Sequence, residues 1–425
     1  MRAIHKTYSY RLYPTREQEK LLSKHFGACR WVYNFCLETK TGEYGRTGKV
    51  MSRYELSAML PGLKKQWEWL AEINSQSLQS ELKHLNNAFN KFSKEKAGFP
   101  AFKNRHSRQS FECPQSFWIE GGKLSLPKFR SGIKVVVDRP AEGRMLFATV
   151  SKTAAGKYFA SIATEQEAEA ESKPVRKETA VGIDLGLRDF LIMSDGTKVG
   201  RSRFIEAGEK RLAHLQRKAC RQQKGSNSQK KTFRRIARLH EKIANQRKDF
   251  HNKVARRLVS ESQACTFCLE SLDVRKMMQD RRYAKSVMDV GWGNFVRTLT
   301  YKAQWAGKNI VRIGRFEKSS KTCNSCGHVL GKLGSGERKW ACQNCGAAHD
   351  MDINAARNIL DFAFHKNAAR AGTARCDAAG ELPTGISTKA ESSQRNNEAE
   401  RTASWQEEVH KLHFVSRHEF LGEGV

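Results

Sequence analysis

Residues 180–187 read AVGIDLGL, a short apolar run with one acidic residue, Asp184, near its end. Such a run suits a buried strand with a carboxylate at its edge. A charge set against a buried strand needs partners, and two acidic residues downstream occupy comparable settings. Glu270 follows the apolar stretch 265–269 (CTFCL), a second candidate strand. Asp352 opens DINAARNILDF, where Ile353, Ala356, Leu360 and Ala363 fall on one helical face. The pattern predicts two strands and a helix converging on one acidic pocket. Three carboxylates suit a pair of Mg²⁺ ions, hard cations that take oxygen ligands, keep some water and lie roughly 3.5–4 Å apart where they cut phosphodiesters.

Just before Asp352 lie Cys323-x2-Cys326 and Cys342-x2-Cys345, with fifteen residues between the pairs. Four thiolates at that spacing predict a tetrahedral zinc ribbon with one structural Zn²⁺. Each pair is followed by glycine, Gly327 and Gly346, which allows the tight turn of a metal knuckle. The seven remaining cysteines (Cys29, Cys36, Cys113, Cys220, Cys265, Cys268 and Cys376) show no framework spacing, as expected in a reducing compartment. Cys265-x2-Cys268 has no free partner pair and reads as buried thiols in a strand.

At 425 residues, 39% hydrophobic and 9% aromatic, the chain suits two or three globular domains. A net charge of +32 points to a polyanion. No apolar run approaches the roughly 18–20 residues needed to span a bilayer, and the N-terminus lacks a signal-peptide core, so nucleic acid is the expected partner rather than a membrane. The expected location is cytoplasmic.

Residues 4–13 (IHKTYSYRLY) alternate and stop at Pro14, which predicts a strand. Thr15 and Gln18 form a capping box for a helix through about residue 38; further helices fit 53–60, 63–70 and 75–96. Short alternating segments at 110–118, 123–126, 133–137, 146–152 and 158–163 then predict a small antiparallel barrel that also takes in the first strand. Residues 165–171 (EQEAEAE) read as a solvated acidic linker. Residues 201–258 predict a basic helical hairpin, with 19 Lys and Arg against 4 Asp and Glu, and that excess favours duplex phosphates as its partner. A helix over 287–306 and a strand over 309–313 follow. Residues 367–425 lack periodicity and predict a largely disordered tail with a short helix near 405–414.

Together GIDLGL with Asp184, CLESLDV with Glu270, the four-cysteine ribbon and HDMDINAARNIL with Asp352 resemble the TnpB family, insertion-sequence-encoded RNA-guided nucleases related to type V CRISPR effectors. The resemblance runs from about residue 1 to 366. It implies an α/β and β multidomain chain: a RuvC-type nuclease on a ribonuclease-H-like fold with an inserted zinc ribbon, and a wedge β-barrel carrying a helical recognition insertion. The implied boundaries are 1–14 (first wedge strand), 15–97 (recognition helices), 98–172 (wedge barrel), 173–317 (nuclease), 318–349 (ribbon) and 350–366 (final nuclease helix). The implied activity is guide-RNA-directed, Mg²⁺-dependent cleavage of double-stranded target DNA beside a short transposon-adjacent motif, by a monomer carrying one RNA in a prokaryotic cell and meeting the nucleoid when on DNA. Asp350 competes with Asp352 for the third carboxylate. The family's Asp-x-Asn-x-Ala pattern favours Asp352 and leaves Asp350 to cap the helix or to support the ligands from behind. The resemblance places motif reading on the helical insertion, at Gln76, Gln79 and Tyr54, while Arg234 and Arg235 are expected to meet phosphates. Four other readings share parts of this pattern. GIDLG also opens the phosphate loop of actin-like ATPases, but further glycine-rich loops are absent. A carboxylate-triad transposase lacks a ribbon before its third acid, and a guide-bound repressor has no need of an intact triad. A compact type V effector differs only in genetic context.

Overall fold

A computed structural model of the chain describes residues 3–95, 97–167, 170–314, 317–331 and 338–369. The expected tail lies outside the described residues from position 370 on. Two compact units divide the rest, one of residues 5–166 and one of residues 167–369 together with residues 3 and 4, the start of the first strand.

In the first unit, β1 (Ala3–Tyr13) ends at Pro14 and α1 (Arg16–Thr47) starts from the expected capping box. The Gln18 amide N–H donates to Thr15 Oγ1 at 3.3 Å, and Gln18 Oε1 accepts from the Thr15 N–H at 3.0 Å. The helix runs nine residues past the expected end because its polar residues there are still packed: Lys40 is buried with its ammonium over the Phe89 ring, and Thr41 is buried too. Helices α2 (Arg53–Ala58), α3 (Leu60–Gln66) and α4 (Ser75–Glu95) follow. The strands are β2 (Gln109–Cys113), β3 (Trp118–Glu120), β4 (Lys123–Leu126), β5 (Phe129–Val136), β6 (Arg144–Lys152) and β7 (Tyr158–Glu167).

These strands form one sheet in the order β2-β6-β7-β1-β5-β4-β3, with β2–β6–β7 and β1–β5–β4–β3 antiparallel throughout. One core joins Leu22, Phe26 and Val32 of α1 and Leu78, Leu82 and Leu85 of α4 to Phe111, Ile133 and Val150 of the sheet. The expected barrel is here a sheet with two ends, since no ladder joins β2 to β3 among the described residues. The single strand expected over 110–118 is two, because Pro114 has no N–H to donate and Ser116 takes φ 60°, which ends the pairing. The expected acidic linker begins as strand: β7 continues to Glu167, with Glu165 held by Arg144 at 2.6 Å and the Gln166 amide donating to Tyr8 Oη.

The second unit holds β8 (Ala180–Asp184), β9 (Asp189–Met193), β10 (Lys198–Gly200), α5 (Phe204–Arg221), α6 (Asn227–Ser260), β11 (Thr266–Glu270), α7 (Val274–Met277), α8 (Arg281–Val290), α9 (Trp292–Trp305), β12 (Asn309–Ile313), β13 (Lys339–Ala341), β14 (Ala348–Asp350) and α10 (Met351–Ala369). Its main sheet runs β10-β9-β8-β11-β12, with β8, β11 and β12 mutually parallel. Strand alternation sends Val181, Ile183, Phe267 and Leu269 to one face, where Val254 and Leu258 of α6 and Phe295 and Leu299 of α9 cover them. Gly182 and Cys268 face the other way, towards Ile359, Leu360 and Ala363 of α10. The helix expected over 287–306 breaks into α8 and α9 at Gly291, whose φ of 65° a side chain rarely adopts. Asp289, 1% exposed, accepts at both carboxylate oxygens from the Ile205 N–H and so caps α5, which fixes the base of the basic hairpin α5–α6.

Gly182 lies where α10 crosses β8: a Cβ there would stand 1.9 Å from the Ala356 carbonyl oxygen and 2.9 Å from the Leu360 nitrogen. Both are backbone atoms, so only movement of the helix relieves the clash. Gly182→Ala is therefore expected to cost about 3 kcal/mol or more in thermal or denaturant unfolding. Gly42→Ala, inside α1 with nothing within 4 Å, is expected to stabilise by about 0.5–1 kcal/mol.

Candidate active site and zinc ribbon

Asp184 and Glu270 are the last residues of adjacent parallel strands whose final registered pair is Ile183 with Leu269, so they form the next rung. Alternation places both on the face that α10 covers. On α10, Ala356 lies over Gly182, and one turn earlier Asp352 comes over the strand ends. The three predicted acids therefore meet, and their charges couple. Burial, together with the nearby Asp352 and Glu270, pushes the Asp184 carboxyl up to about 7, against the lowering by the Leu185 backbone N–H and Arg338. Burial also raises Glu270.

Asp350 has the capping role: its Oδ1 accepts from the N–H groups of Asp352 (3.1 Å) and Ile353 (3.2 Å), and its Oδ2 pairs with Lys198 at 2.8 Å. Two cations beside the cluster, Lys198 and Arg338, had no signal in the sequence. Arg338 Nη1 lies 2.7 Å from Asp352 Oδ1, and its position in the stretch between the cysteine pairs, with no periodicity or motif of its own, gave no reason to single it out.

The four predicted cysteines converge. The Sγ atoms of Cys323, Cys326, Cys342 and Cys345 all lie within 4.8 Å of one another, with 323–345 at 3.7 Å and 326–342 at 3.6 Å. Among the described residues this is the one group of three or more His, Cys, Asp or Glu ligand atoms so tightly drawn. The two knuckles repeat one backbone pattern. Gly327 N–H donates to Cys323 O and Gly346 N–H to Cys342 O, each at 2.8 Å, with φ 77° and 72° at the glycines. Nearby amides support the sulfurs: the His328 N–H and the Asn344 side chain hold the Cys326 thiol down to about 6. A thiolate-rich donor set in this geometry fits zinc.

Of the other predicted residues, Tyr54 is 76% exposed with Arg53 over its ring, Gln79, Arg234 and Arg235 are exposed, and Gln76 is half-buried with its Oε1 lacking a partner. Tyr54 on α2 and the two glutamines on α4 belong to helices that pack together.

Family models match along most of the chain: one described as "Probable transposase" at residues 161–281, one as "Cas12f1-like, TNB domain" at 292–359 and one as "Helix-turn-helix domain" at 1–49. A mimivirus protein named "TnpB-like protein L79" is 26% identical over 199 residues, 44% of this chain and 37% of that one. A Streptomyces pristinaespiralis protein named "Putative RNA-guided DNA endonuclease" is 38% identical over 367 residues, covering 85% of this chain and 90% of its own length. The chain belongs to the TnpB family. A second relative, "Putative RNA-guided DNA endonuclease InsQ" of Escherichia coli, is 31% identical over 373 residues, 83% of this chain and 91% of that one. A solved structure of a Cas12f1–sgRNA–target DNA complex aligns over 84% of this TnpB-family chain and 99% of the other, at 14% identity and a TM-score of 0.46. The described residues of the 1–49 stretch, 3–49, despite the description of the model that matches them, hold one strand and one continuous helix, β1 and α1.

An acid raised from 3.8 to about 7 on folding binds a proton in the folded state across that window. Its contribution to stability is fully present below pH 3.8 and is lost as pH rises through 7. In buffer without divalent cations, Asp184→Asn is thus expected to match the parent near pH 4 and to exceed it at pH 8 by up to a few kcal/mol in urea unfolding.

Proposed function

We propose that the protein is a transposon-encoded, RNA-guided DNA endonuclease that cuts double-stranded target DNA beside a short transposon-adjacent motif, with RuvC-type chemistry at Asp184, Glu270 and Asp352. The observation that carries this reading is the convergence of three carboxylates, from two parallel strand ends and one helix start, where burial and the two neighbouring acids push the Asp184 carboxyl up to about 7. Such crowding of like charge favours binding of multivalent cations. Two Mg²⁺ ions held there would supply Lewis acidity, polarising a water for attack and stabilising the leaving oxygen of a phosphodiester.

The chain's own groups have defined tasks in this reading. Asp184 must shed its proton to act as a ligand. Asp350 holds the first turn of α10 and thereby the backbone of Asp352. Arg338 partly neutralises Asp352, and its planar fork suits a phosphate as well as a carboxylate. The four cysteines hold one structural zinc, and the exposed arginines of α6 meet nucleic-acid phosphates. Guide RNA reads most of the target by base pairing, and Tyr54, Gln76 and Gln79 read the flanking motif. The relatives' names support the guide and the DNA target, and the basic hairpin and net charge of +32 support two nucleic-acid partners. The protein is a cytoplasmic monomer bound to one RNA. A transposase acting without RNA is the competing reading, from the description of the model matched at 161–281.

Alanine at Asp184, Glu270 or Asp352 is expected to lower cleavage by about 10³-fold or more while target binding by filter retention changes little. Normal cutting by Asp352→Ala would remove it from the centre. Cleavage by the parent is expected to rise with pH through about 7 as Asp184 ionises.

The roles of the other residues separate in a library of randomised flanks. Changes at Gln76, Gln79 or Tyr54 should alter which flanks permit cutting. Arg234→Ala or Arg235→Ala should instead weaken binding to every target and flatten its salt dependence by about 0.9 in log–log slope for each phosphate the arginine had neutralised. Sequence-specific cutting that survives removal of the copurifying RNA would overturn the guided reading in favour of the transposase.

A further inference from the structure

Helix α10 has two committed faces. Its apolar face lies on β8 at Gly182; its polar face presents Asn354, Asn358 and Asp361, spaced i, i+4 and i+7, to the chain segment that leads into the first zinc knuckle. Both asparagines are only 2% exposed, so each amide must find an acceptor and a donor within the protein. Asn354 Oδ1 accepts from the backbone N–H of Asn324 at 2.9 Å, and its Nδ2 donates to Thr322 O at 2.7 Å. Asn358 Nδ2 donates to Ser319 O at 2.7 Å and Thr322 O at 2.6 Å, while its Oδ1 accepts from Asn324 Nδ2 at 3.1 Å. The same Asn324 amide reaches Asp361 Oδ2 at 2.7 Å, and Lys177 holds the other oxygen of Asp361 at 2.8 Å.

Asn324 sits between Cys323 and Cys326. The backbone that places these two sulfurs is thus the backbone that receives the helix. A second route runs through His349: its Nε2 lies 3.1 Å from Cys323 Sγ, its ring packs on Trp340 with centroids 4.6 Å apart, and the next residue, Asp350, caps α10. The helix turn that carries Asp352 is therefore bound to the ribbon at its cap and along its side.

We propose that Asn324 is a positioning residue for Asp352, and that the integrity of the four-cysteine zinc site and the placement of this carboxylate are coupled through the buried amides of α10. The proposal rests on the reading of Asp352 as a nuclease ligand. Because the apolar face of α10 is held independently by the sheet, loosening the knuckle leaves the helix docked but frees its first turns. Loss of the hydrogen bonds that hold a metal-ligating carboxylate in place typically costs about 10–100-fold in metal affinity.

The test uses the full chain purified with its RNA and combines metal analysis, hydrogen exchange and a Mg²⁺ titration of cleavage. Asn324→Ala removes the side-chain donors but keeps the backbone N–H to Asn354; Asn358→Asp, close in shape, removes the two donations to carbonyls and serves if the first variant does not fold. Either is expected to retain one zinc and bind target within threefold of the parent. Either should also speed amide exchange over residues 352–360 and raise the half-saturating Mg²⁺ concentration about 10-fold, with the rate at saturating Mg²⁺ changing less than about threefold. Extracting zinc from the parent with a chelator should speed exchange over the same residues. Unchanged exchange and Mg²⁺ requirement in a zinc-replete variant, or unchanged exchange after zinc extraction, would overturn the coupling. Failure of the nuclease reading has a different signature, normal cutting by Asp352→Ala, which leaves the exchange result standing.

Discussion

The close crossing of α10 over β8 is the contact on which the candidate site depends. A helix normally stands off a sheet by the thickness of the side chains between them. At Gly182 there is no side chain, and helix backbone approaches strand backbone directly. That approach, combined with strand alternation, brings the first turn of α10 over the ends of β8 and β11. The acids share one pocket because a residue without a Cβ lies two positions before the first of them.

The second constraint is electrostatic. Burying Asp184 and gathering three carboxylates both oppose folding, and both act to raise the pKa of Asp184, burial the more strongly. The chain tempers it locally with Lys198 on Asp350 and Arg338 on Asp352. It also separates the signs: the acids sit at one end of the five-stranded sheet, while the positive excess is carried on the exposed sides of α5 and α6. An acidic pocket within a chain of net charge +32 suits a cation-assisted site on a protein that binds a polyanion.

The four-cysteine ribbon and the five-stranded sheet are not independent in this arrangement. Asparagine amides, which can both donate and accept, allow a helix face to bond to irregular backbone without leaving polar groups unpaired. The knuckle at Cys323–Cys326 uses that property, and α10 joins the four-cysteine ribbon to the sheet.

The sequence by itself determined whatever local spacing dictates. Apolar runs ending in Asp184 and Glu270 named the two strands, the periodicity after Asp352 named the helix, and four cysteines with their following glycines named the ribbon. The capping box at Thr15 and the basic hairpin were equally legible, because each is set by residues within a few positions of one another. Where local signals failed, a contact distant in sequence had decided the outcome: Lys40 packing on Phe89 prolonged α1, and Glu165 pairing with Arg144 made strand of an apparent linker. Gly291 was a local signal for the break between α8 and α9 that periodicity alone passed over. The tertiary structure alone decided the crossing at Gly182, the pairing of Arg338 with Asp352 and the bonding of Asn354 and Asn358 to the first cysteine knuckle. Each of these joins groups whose proximity depends on how the sheet and α10 pack, and no spacing along the chain records that.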